Sequence, residues 1–324
     1  MAASTTWPED TPMTRDEHAF ADILEEAEQF GPLSMAVAHP CSQESLMGAV
    51  EAADHGIISP ILIAPLAKLE KVAAEFNVDL SRFRVIDVPH SHAAAEVAVE
   101  LVKNGEAHAL MKGSLHTDEF MSEVLKKNGG LRTGRRLSHV FIMKVDSYPR
   151  YLFITDAAIN IQPDLMAKVD ITQNAIDLTH ALGIACPKVA LLSAVETVTP
   201  NIQSTLDAAA LCKMADRGQI TGAILDGPLA FDNAISAEAA HTKHIISAVA
   251  GDPDILVVPD LESGNMLAKQ LSYLAAAASA GIVMGARVPI VLTSRAEDAQ
   301  GRLASAAVAN VVGHRLVIGA GAGE

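Results

Sequence analysis

Three segments of the chain combine basic, hydroxyl and glycine residues as anion-binding loops do. Lys112–Ser114 stands at the end of one apolar run, Thr293–Arg295 follows another, and Lys126–Arg136 interleaves five basic residues with three glycines. Glycine lets backbone N–H groups approach an anion closely, and a guanidinium group pairs with two phosphate oxygens at once. These residue types predict a site for phosphate or another small anion.

Each segment also has a plainer interpretation. The segment Lys126–Arg136 is equally typical of a solvated basic loop, and Ser294 is equally typical of a helix N-cap. The GxxxxGK[ST] spacing of an ATP-binding loop is absent around Lys112, and no GxSxG elbow surrounds Ser294. No GxGxxG follows a predicted strand, so the chain lacks the glycine motif that is typical of a dinucleotide-binding fold.

The sequence does not decide the roles of several aspartate and histidine side chains. Three aspartates close predicted strands, where they could act as bases, bind Mg²⁺ or form turns: Asp156, Asp226 and Asp260. Four histidines lack the HExxH type of metal spacing and are interpreted as structural: His39, His116, His139 and His241. The sequence therefore predicts no bound metal.

Short apolar runs alternate with helix-length segments and must position these side chains. The runs are 33–38, 60–64, 84–88, 107–112, 151–155, 188–193, 222–226, 254–259, 288–293 and 315–319, and the clearest helices are 15–30, 90–104, 163–183 and 201–218. This alternation predicts an α/β fold in which a mostly parallel sheet is covered by helices on both faces, in three αβα layers. Ligands of such sheets bind beyond the carboxyl ends of the strands.

Composition excludes several classes of function. The 324 residues carry 24 Lys and Arg against 39 Asp and Glu, a net charge of −15, which disfavours nucleic acid and anionic membranes as partners. The three cysteines form no CxxC pair, and the first residues lack a basic flank followed by an apolar core, so we expect neither a disulfide framework nor a signal peptide. Residues 271–292 are interrupted by polar residues, so we interpret them as a buried helix, alanine-rich at 275–280, followed by a strand. We expect a cytoplasmic protein with a loose tail at 1–13.

Seven long segments of the chain resemble sequence motifs of a known protein family. MKGSLHTDEFM, GLRTGRRLSHVFIM, TDAAINIQPDLMAK, PKVALLSAVE, DGPLAFDNAIS, PDLESGNMLAK and VPIVLTSRAED follow one another in order from about Leu33 to Val312. Together they resemble the phosphate acetyltransferase and phosphate butyryltransferase family. The residues of the segments LSHV, TDAAIN and TSRAED are more similar to those of the butyryl branch.

The resemblance implies a reaction and a set of site residues. The family converts acyl-CoA and phosphate to acyl phosphate and CoA, with CoA as a substrate and no metal or other cofactor. By this resemblance Ser294 donates to the oxyanion, Arg295 holds the phosphoryl group and Asp298 is a candidate base for the thiol. The predicted substrate contacts lie in the matching motifs: Lys112, Ser114, Thr117, Arg132, Arg136, Ser138, Asp226 and Asn265.

The resemblance also implies an architecture. Two α/β domains of the isocitrate and isopropylmalate dehydrogenase type face one another across a cleft, the first from 14–140 with 290–324 and the second from 141–289. Such enzymes are usually homodimers or larger assemblies. Their partners are small molecules: acyl-CoA, phosphate and acyl phosphate.

Two departures from the family keep alternatives open. The catalytic Asp of the acetyl branch falls on Gly301 here, so Glu297 or Asp298 would have to replace it, and an arginine of that branch falls near Ser272 and Tyr273. A chain without that acid is also consistent with a non-catalytic protein that binds CoA or acyl phosphate. A dehydrogenase of related architecture is the third hypothesis, and it would need a carboxylate cluster for Mg²⁺.

Overall fold

Eleven β-strands form one mixed sheet in the computed structural model, which describes residues 18–292 and 298–319. The strands are β1 Leu33–Ala38, β2 Ile58–Ala64, β3 Arg84–Asp87, β4 Ala109–Lys112, β5 Ser138–Lys144, β6 Tyr151–Thr155, β7 Lys188–Leu192, β8 Ile224–Leu229, β9 Ile255–Val257, β10 Ala278–Met284 and β11 Ile290–Leu292. The α-helices are α1 Ala21–Phe30, α2 Gln43–Asp54, α3 Leu66–Glu75, α4 Ser91–Lys103, α5 Thr117–Val124, α6 Leu165–Ala181, α7 Gln203–Asp216, α8 Phe231–Ile235, α9 Ala237–Thr242, α10 Leu261–Leu274 and α11 Ala299–Val312.

The strand order divides the sheet into two parallel blocks. Across the sheet the order is β3-β2-β1-β4-β11-β10-β5-β6-β9-β7-β8. The block β3-β2-β1-β4-β11 is parallel throughout, and so is the block β6-β9-β7-β8. Strand β10 is antiparallel to both of its neighbours, and β5 is antiparallel to β6. The two blocks therefore run in opposite directions, and residues that follow strands of different blocks leave the sheet at opposite edges.

The apolar core differs between the two faces of the sheet. One cluster covers one face from β2 to β7 and takes in residues of α1, α2, α6, α7 and α11. The other face carries two separate clusters, one built with α4 and α5 and one with residues of α8 and α10. This second face is called the divided face below. The expected α/β class with helices on both faces is confirmed.

Loop 156–160 crosses the divided face between its two clusters. Ile159 packs against the cluster that contains Leu115, Leu131 and Leu137. At the other end of the loop, Asn265 of α10 donates to the carbonyl of Ala157 at 3.2 Å. The loop thus joins the α5 side of the divided face to the α10 side.

Local signals fix the four predicted helices. The carboxylate of Asp164 accepts the N–H of Ala167 at 2.8 Å and starts α6. The imidazole of His90 accepts the N–H of Ala93 at 3.1 Å and starts α4. The helices predicted over 15–30, 90–104, 163–183 and 201–218 correspond to α1, α4, α6 and α7.

Three predictions of secondary structure are wrong. The alanine-rich segment 275–280 enters strand β10, which pairs with β5 over seven residues, so sheet pairing overrides the helix propensity of alanine. The run 315–319 is not a strand: Gly313–Ile318 forms a π-helical turn that continues α11. Strand β5 itself does not appear among the predicted runs, because polar Ser138 and His139 begin it.

The predicted domain boundaries can be compared with the two blocks of the sheet, although the boundary at 140 falls within β5. The first block takes its strands from 33–112 and 290–292, and the second from 151–257. One sheet nevertheless runs through both blocks, so the division into two domains stays a prediction. Within the described ranges 18–292 and 298–319, no helix has the length and apolar content that crossing a membrane requires.

Candidate active site

Lys112 ends β4 beside the strand that leads into the Ser-Arg pair. It pairs in register with Leu292, the last residue of β11. The Lys112 ammonium donates to the carbonyls of Gly113 and Leu115, at 3.1 and 3.2 Å, and so holds the turn that follows β4. Ser294 and Arg295 lie outside the described residues, and their roles stay predictions. The register places Lys112 beside the end of β11.

His39 and Ser114 join the loops that follow β1 and β4. The N–H and the hydroxyl of Ser114 both reach the carbonyl oxygen of His39 at 2.9 Å, and its Oγ lies 3.0 Å from His39 Nδ1. Gly113 permits this approach, since a Cβ there would lie 2.4 Å from the same carbonyl oxygen. Sequence reasoning treated His39 as a structural histidine and missed this contact. The only signal for it is that His39 directly follows a strand.

Burial tunes the ionisable groups of these two loops. The pKa of His39 is lowered from its usual value, first by burial and then by the charge of Lys68, against the opposing charge of Glu119. Burial also raises the pKa of the Cys41 thiol to about 11. At pH 7 His39 is therefore neutral and Cys41 is protonated.

The basic segment 126–136 passes along the ends of β5 and β10. Arg132 forms an isolated antiparallel bridge with Ala286, and Thr133 donates to the carbonyl of Gly285 at 2.7 Å. Arg135 pairs with Asp177. The side chains of Arg132 and Arg136 are exposed. Exposure is compatible with both interpretations of this segment, the anion site and the solvated basic loop, although its backbone is tied to the sheet.

Asp156 is committed to the loop that it begins. Its carboxylate is buried and accepts hydrogen bonds from the N–H groups of Ala158, Ile159 and Asn160 and from the Asn160 amide, at 2.6 to 3.1 Å. Of the roles left open by the sequence, turn formation is the one observed. Asp260 likewise caps α10 by accepting the N–H of Ser263 at 2.8 Å.

His139 lies buried on the divided face beside this loop. Its ring stands against Phe141 with centroids 4.4 Å apart, and a Cβ on Gly281 would lie 2.7 Å from its Nε2. No hydrogen-bond partner for the buried Nδ1 atom occurs in the part of the chain that the structure describes. Burial lowers the pKa of His139 to about 4, although the charge of Asp156 opposes this shift. His139 is thus a neutral histidine at pH 7.

The other predicted site residues occupy separate places. Thr117 is exposed in the first turn of α5, and Asn265 lies on α10 against loop 156–160. Ser138 is fully buried, and its Oγ accepts from the Asn174 amide at 2.9 Å. Its prediction as a substrate contact finds no support in this position.

Asp226 does not join the other predicted contacts. It lies in β8, the edge strand of the second block, and accepts the N–H of Gly227 at 2.8 Å. Seven strand spacings separate β8 from β4, about 33 Å across the sheet. This position does not bring Asp226 together with Lys112, and its role as a substrate contact stays a prediction.

Asp298 is the N-cap of α11. Its carboxylate accepts the N–H of Gly301 at 2.8 Å, and the residue is exposed. The cap fixes the start of the helix that follows the 293–297 segment. Among the described residues, no group of three or more His, Cys, Asp or Glu side chains is arranged to hold a metal ion.

Comparisons with known proteins resolve the family. Residues 90–310 match the family described as "Phosphate acetyl/butaryl transferase". The chain belongs to this family. The phosphate acetyltransferase of Rhizobium meliloti is 62% identical over 89% of this chain and 91% of its own length. The phosphate butyryltransferase of Clostridium acetobutylicum is 40% identical over 91% of this chain and 98% of its own length. A branched-chain phosphotransacylase from Enterococcus faecalis matches the structure with a TM-score of 0.77 and 30% identity, over 87% of this chain and 99% of that one.

These identities correct the expected branch. The relatives that are 58 to 62% identical are named phosphate acetyltransferases, whereas the Clostridium butyryltransferase is 40% identical. The motifs that suggested the butyryl branch are structural in part: Ser138 and Thr155 are buried, and Asp156 forms a turn. Such residues maintain the fold, so they do not report the acyl group.

A similarity to a dehydrogenase concerns the fold alone. A 4-hydroxythreonine-4-phosphate dehydrogenase from Salmonella typhimurium matches with a TM-score of 0.57 and 13% identity, over 87% of this chain and 99% of that one. This likeness agrees with the dehydrogenase-like architecture expected from the sequence. The Mg²⁺ carboxylate cluster that the dehydrogenase hypothesis needs does not occur among the described residues.

Proposed function

We propose that this protein transfers an acetyl group reversibly between CoA and inorganic phosphate. The observation that carries the proposal is its 62% identity, over 89% of the chain, to a protein named phosphate acetyltransferase. The basic loops support it, because a protein of net charge −15 needs local positive groups to bind two anionic substrates. Lys112 and the exposed Arg132 and Arg136 supply such groups.

The reaction is acyl transfer through a tetrahedral intermediate. A phosphate oxygen attacks the thioester carbonyl, the carbon–sulfur bond breaks, and the CoA thiolate leaves and takes up a proton. In the reverse direction the thiol loses its proton and attacks the acyl phosphate. Ser294 donates a hydrogen bond to the oxyanion, and Arg295 holds the phosphoryl group. One such oxyanion donor is worth about 10² to 10³ in turnover.

The described elements on either side of residues 293–297 support these roles. Strand β11 ends at Leu292, in register with Lys112. Helix α11 begins directly after that segment, at the Asp298 cap. The carboxyl end of a parallel strand and the N-terminus of the helix that follows it in the chain are both favourable places for an anion.

The same family resemblance supports inferences about the domains, the location, the assembly and the cofactor use of the protein. We infer two α/β domains that face one another across the division of the sheet, with boundaries at 140 and 290. The protein works in the cytoplasm as a homodimer or larger homo-oligomer and uses CoA as a substrate, without a metal or other resident cofactor.

A thiol-release assay tests the proposal. Purified protein is mixed with acetyl-, propionyl- or butyryl-CoA, and free CoA is followed with and without phosphate. We expect phosphate-dependent release with acetyl-CoA, at a higher kcat/KM than with butyryl-CoA. A preference for butyryl-CoA would overturn the acetyl assignment. Absence of release with every donor, together with measurable CoA binding, would favour the non-catalytic binding protein.

A further inference from the structure

A groove runs along β10 on the divided face, between the two apolar clusters of that face. Leu292 of β11 packs against the cluster built with α4 and α5, and Phe141 of β5 packs against the cluster that takes in α8 and α10. Ser279 and Gly281 of β10 lie between them, and their neighbours along the strand belong to the cluster of the opposite face. We call this feature the β10 groove: Ser279 and Gly281 form its floor, and Leu292 and Phe141 form its walls.

The register of the strands places both walls at one level. Gly281 pairs with Phe141, and Val283 pairs with Ile290. Because β10 and β11 are antiparallel, Leu292 is level with Gly281, two residues further along each strand. The two walls are therefore separated by two strand spacings, about 10 Å, and the residue between them has no side chain.

One end of the β10 groove is closed by His139. Its ring lies over Gly281, where a Cβ would be 2.7 Å from Nε2, and it contacts the Phe141 ring edge-on with centroids 4.4 Å apart. Loop 156–160 begins close to the same imidazole, since the charge of its first residue acts on it. The half-buried Ser279 lies towards the other end. The groove is therefore blind at His139 and open beyond Ser279.

The closed end of the groove carries a polar atom without a partner. His139 is 3% exposed, and its Nδ1 has no hydrogen-bond partner within residues 18–292 and 298–319. Buried polar atoms of folded proteins nearly always have such a partner. A partnerless nitrogen above a floor of small residues points to a place that a bound molecule completes.

The same row of residues leads from the groove to a positive charge. Lys112 of β4 pairs with Leu292, so it lies one strand beyond this wall. It follows Leu110, a member of a divided-face cluster, by two residues, and its side chain therefore leaves the sheet on the same face. The row presents an ammonium group, an apolar wall, a gap and an aromatic ring in succession. An acyl phosphate has matching parts, because its charged phosphoryl group is joined directly to a short apolar chain.

We propose that the β10 groove binds the acyl chain of the substrate and that the Phe141 ring limits the length of chain it accepts. The inference rests on the acyl transfer proposed above and adds a specificity-determining residue to it. An aromatic wall beside the closed end leaves little depth for additional methylene groups. This arrangement agrees with the proposed preference for an acetyl over a butyryl group.

The donor preference of Phe141→Ala and Phe141→Leu tests the proposal. Both substitutions deepen the groove, so the ratio of kcat/KM for butyryl-CoA to kcat/KM for acetyl-CoA should rise. We expect a rise of at least tenfold in Phe141→Ala, because one methylene group in an apolar pocket is worth about 10- to 200-fold. Phe141→Leu should give a smaller rise, and it serves alone if Phe141→Ala does not fold. An unchanged ratio in the folded variants would overturn the proposal.

Phe153→Leu is the matched control for a loss of packing. Phe153 lies on β6, beside β5, but it is fully buried in the cluster of the opposite face. The same change of side chain should lower the melting temperature there without changing the donor ratio. Equal changes of the ratio in Phe153→Leu and Phe141→Leu would show that packing of the sheet, and not the groove, sets the preference.

Calorimetric binding separates a failure of the groove from a failure of the transfer. If the wild type releases no CoA from any donor, the proposed transfer fails, and the Kd values of acetyl-CoA and butyryl-CoA test the groove alone. A shift of their ratio towards butyryl-CoA in the Phe141 variants would retain the groove as an acyl-binding site. A ratio equal to that of the wild type, or no measurable binding of either ligand, would remove it.

Discussion

The carboxylate of Asp298 accepts the backbone N–H of Gly301 at 2.8 Å and thereby caps α11. Gly301 is the position where the acetyl branch of the family carries its acid. Asp298, one of the two candidates to replace that acid, lies one helical turn earlier and is hydrogen-bonded to the backbone of Gly301. Asp298 therefore has a structural task whether or not it also receives a proton from CoA.

Two substitutions distinguish the cap from the base. Asparagine caps helices as well as aspartate, so Asp298→Asn should keep the wild-type melting temperature, whereas Asp298→Ala should cost about 1 kcal/mol of stability. A thiol of pKa about 8.5 is already a few per cent ionised at pH 7, so loss of a base costs at most roughly 30-fold in kcat. We expect any loss in Asp298→Asn to shrink between pH 7 and pH 9. A loss that is independent of pH would contradict a role as base.

The Ser-Arg pair should matter more than any acid. Ser294→Ala removes an oxyanion donor and should lower kcat by about 10² to 10³. Arg295→Ala should raise the KM for phosphate and lower kcat, because bidentate pairing is lost. Ser122→Ala, an exposed serine on α5, serves as the control. Equally mild losses at Ser294, Arg295, Glu297 and Asp298, measured by CoA release, would contradict this ranking.

Gly113 should not tolerate a side chain. A Cβ there would lie 2.4 Å from the carbonyl oxygen of His39 and 2.5 Å from that of Ala38, and backbone atoms cannot move aside easily. We expect Gly113→Ala to lower both the melting temperature and the activity. Gly134→Ala is the matched control, because nothing lies within 4 Å of a Cβ at that position. Equal melting temperatures for the two variants would show that the loops do not meet as described.

Much of the fold follows from local sequence, whereas the site depends on contacts between distant segments. Helices α4 and α6 begin at caps that a sequence displays, and alternating apolar runs predict a parallel sheet. The antiparallel pair β5 and β10 breaks this regularity. Because that pair reverses the second block, the carboxyl ends of all strands do not share one edge, and Asp226 and Lys112 leave the sheet at opposite edges. The His39–Ser114 contact spans 75 residues, and no local pattern announces it.

Substitutions of Arg132 and Arg135 should differ in their effect on the KM for phosphate. Arg135 is neutralised by Asp177, while Arg132 is exposed at the bridge with Ala286. Arg132→Gln should therefore raise the KM for phosphate several-fold, and Arg135→Gln should leave it unchanged. Initial rates at varied phosphate concentration measure both values. A larger effect at Arg135 would move the anion site away from Arg132.

His139 should make the protein less stable in acid. Burial lowers its pKa to about 4 in the folded protein, whereas an unfolded histidine has a pKa of about 6.5. Above pH 6.5 both states hold a neutral ring, so His139 makes no difference. Between pH 6.5 and pH 4 the unfolded chain binds a proton that the folded protein does not bind. The stability of the folded protein therefore decreases as the pH is lowered from 6.5 to 4. Below pH 4 both states are protonated and the loss is complete.

A non-titrating side chain should remove this dependence. In His139→Leu the melting temperature should fall less steeply than in the wild type as the pH drops from 6.5 to 4. His241→Gln, which changes an exposed histidine, should follow the wild-type curve. Calorimetric melting temperatures at half-unit steps of pH measure the three slopes. The wild type has a titrating group at position 139 and His139→Leu has none. Parallel curves would therefore mean that the imidazole is already protonated in the folded protein over this pH range.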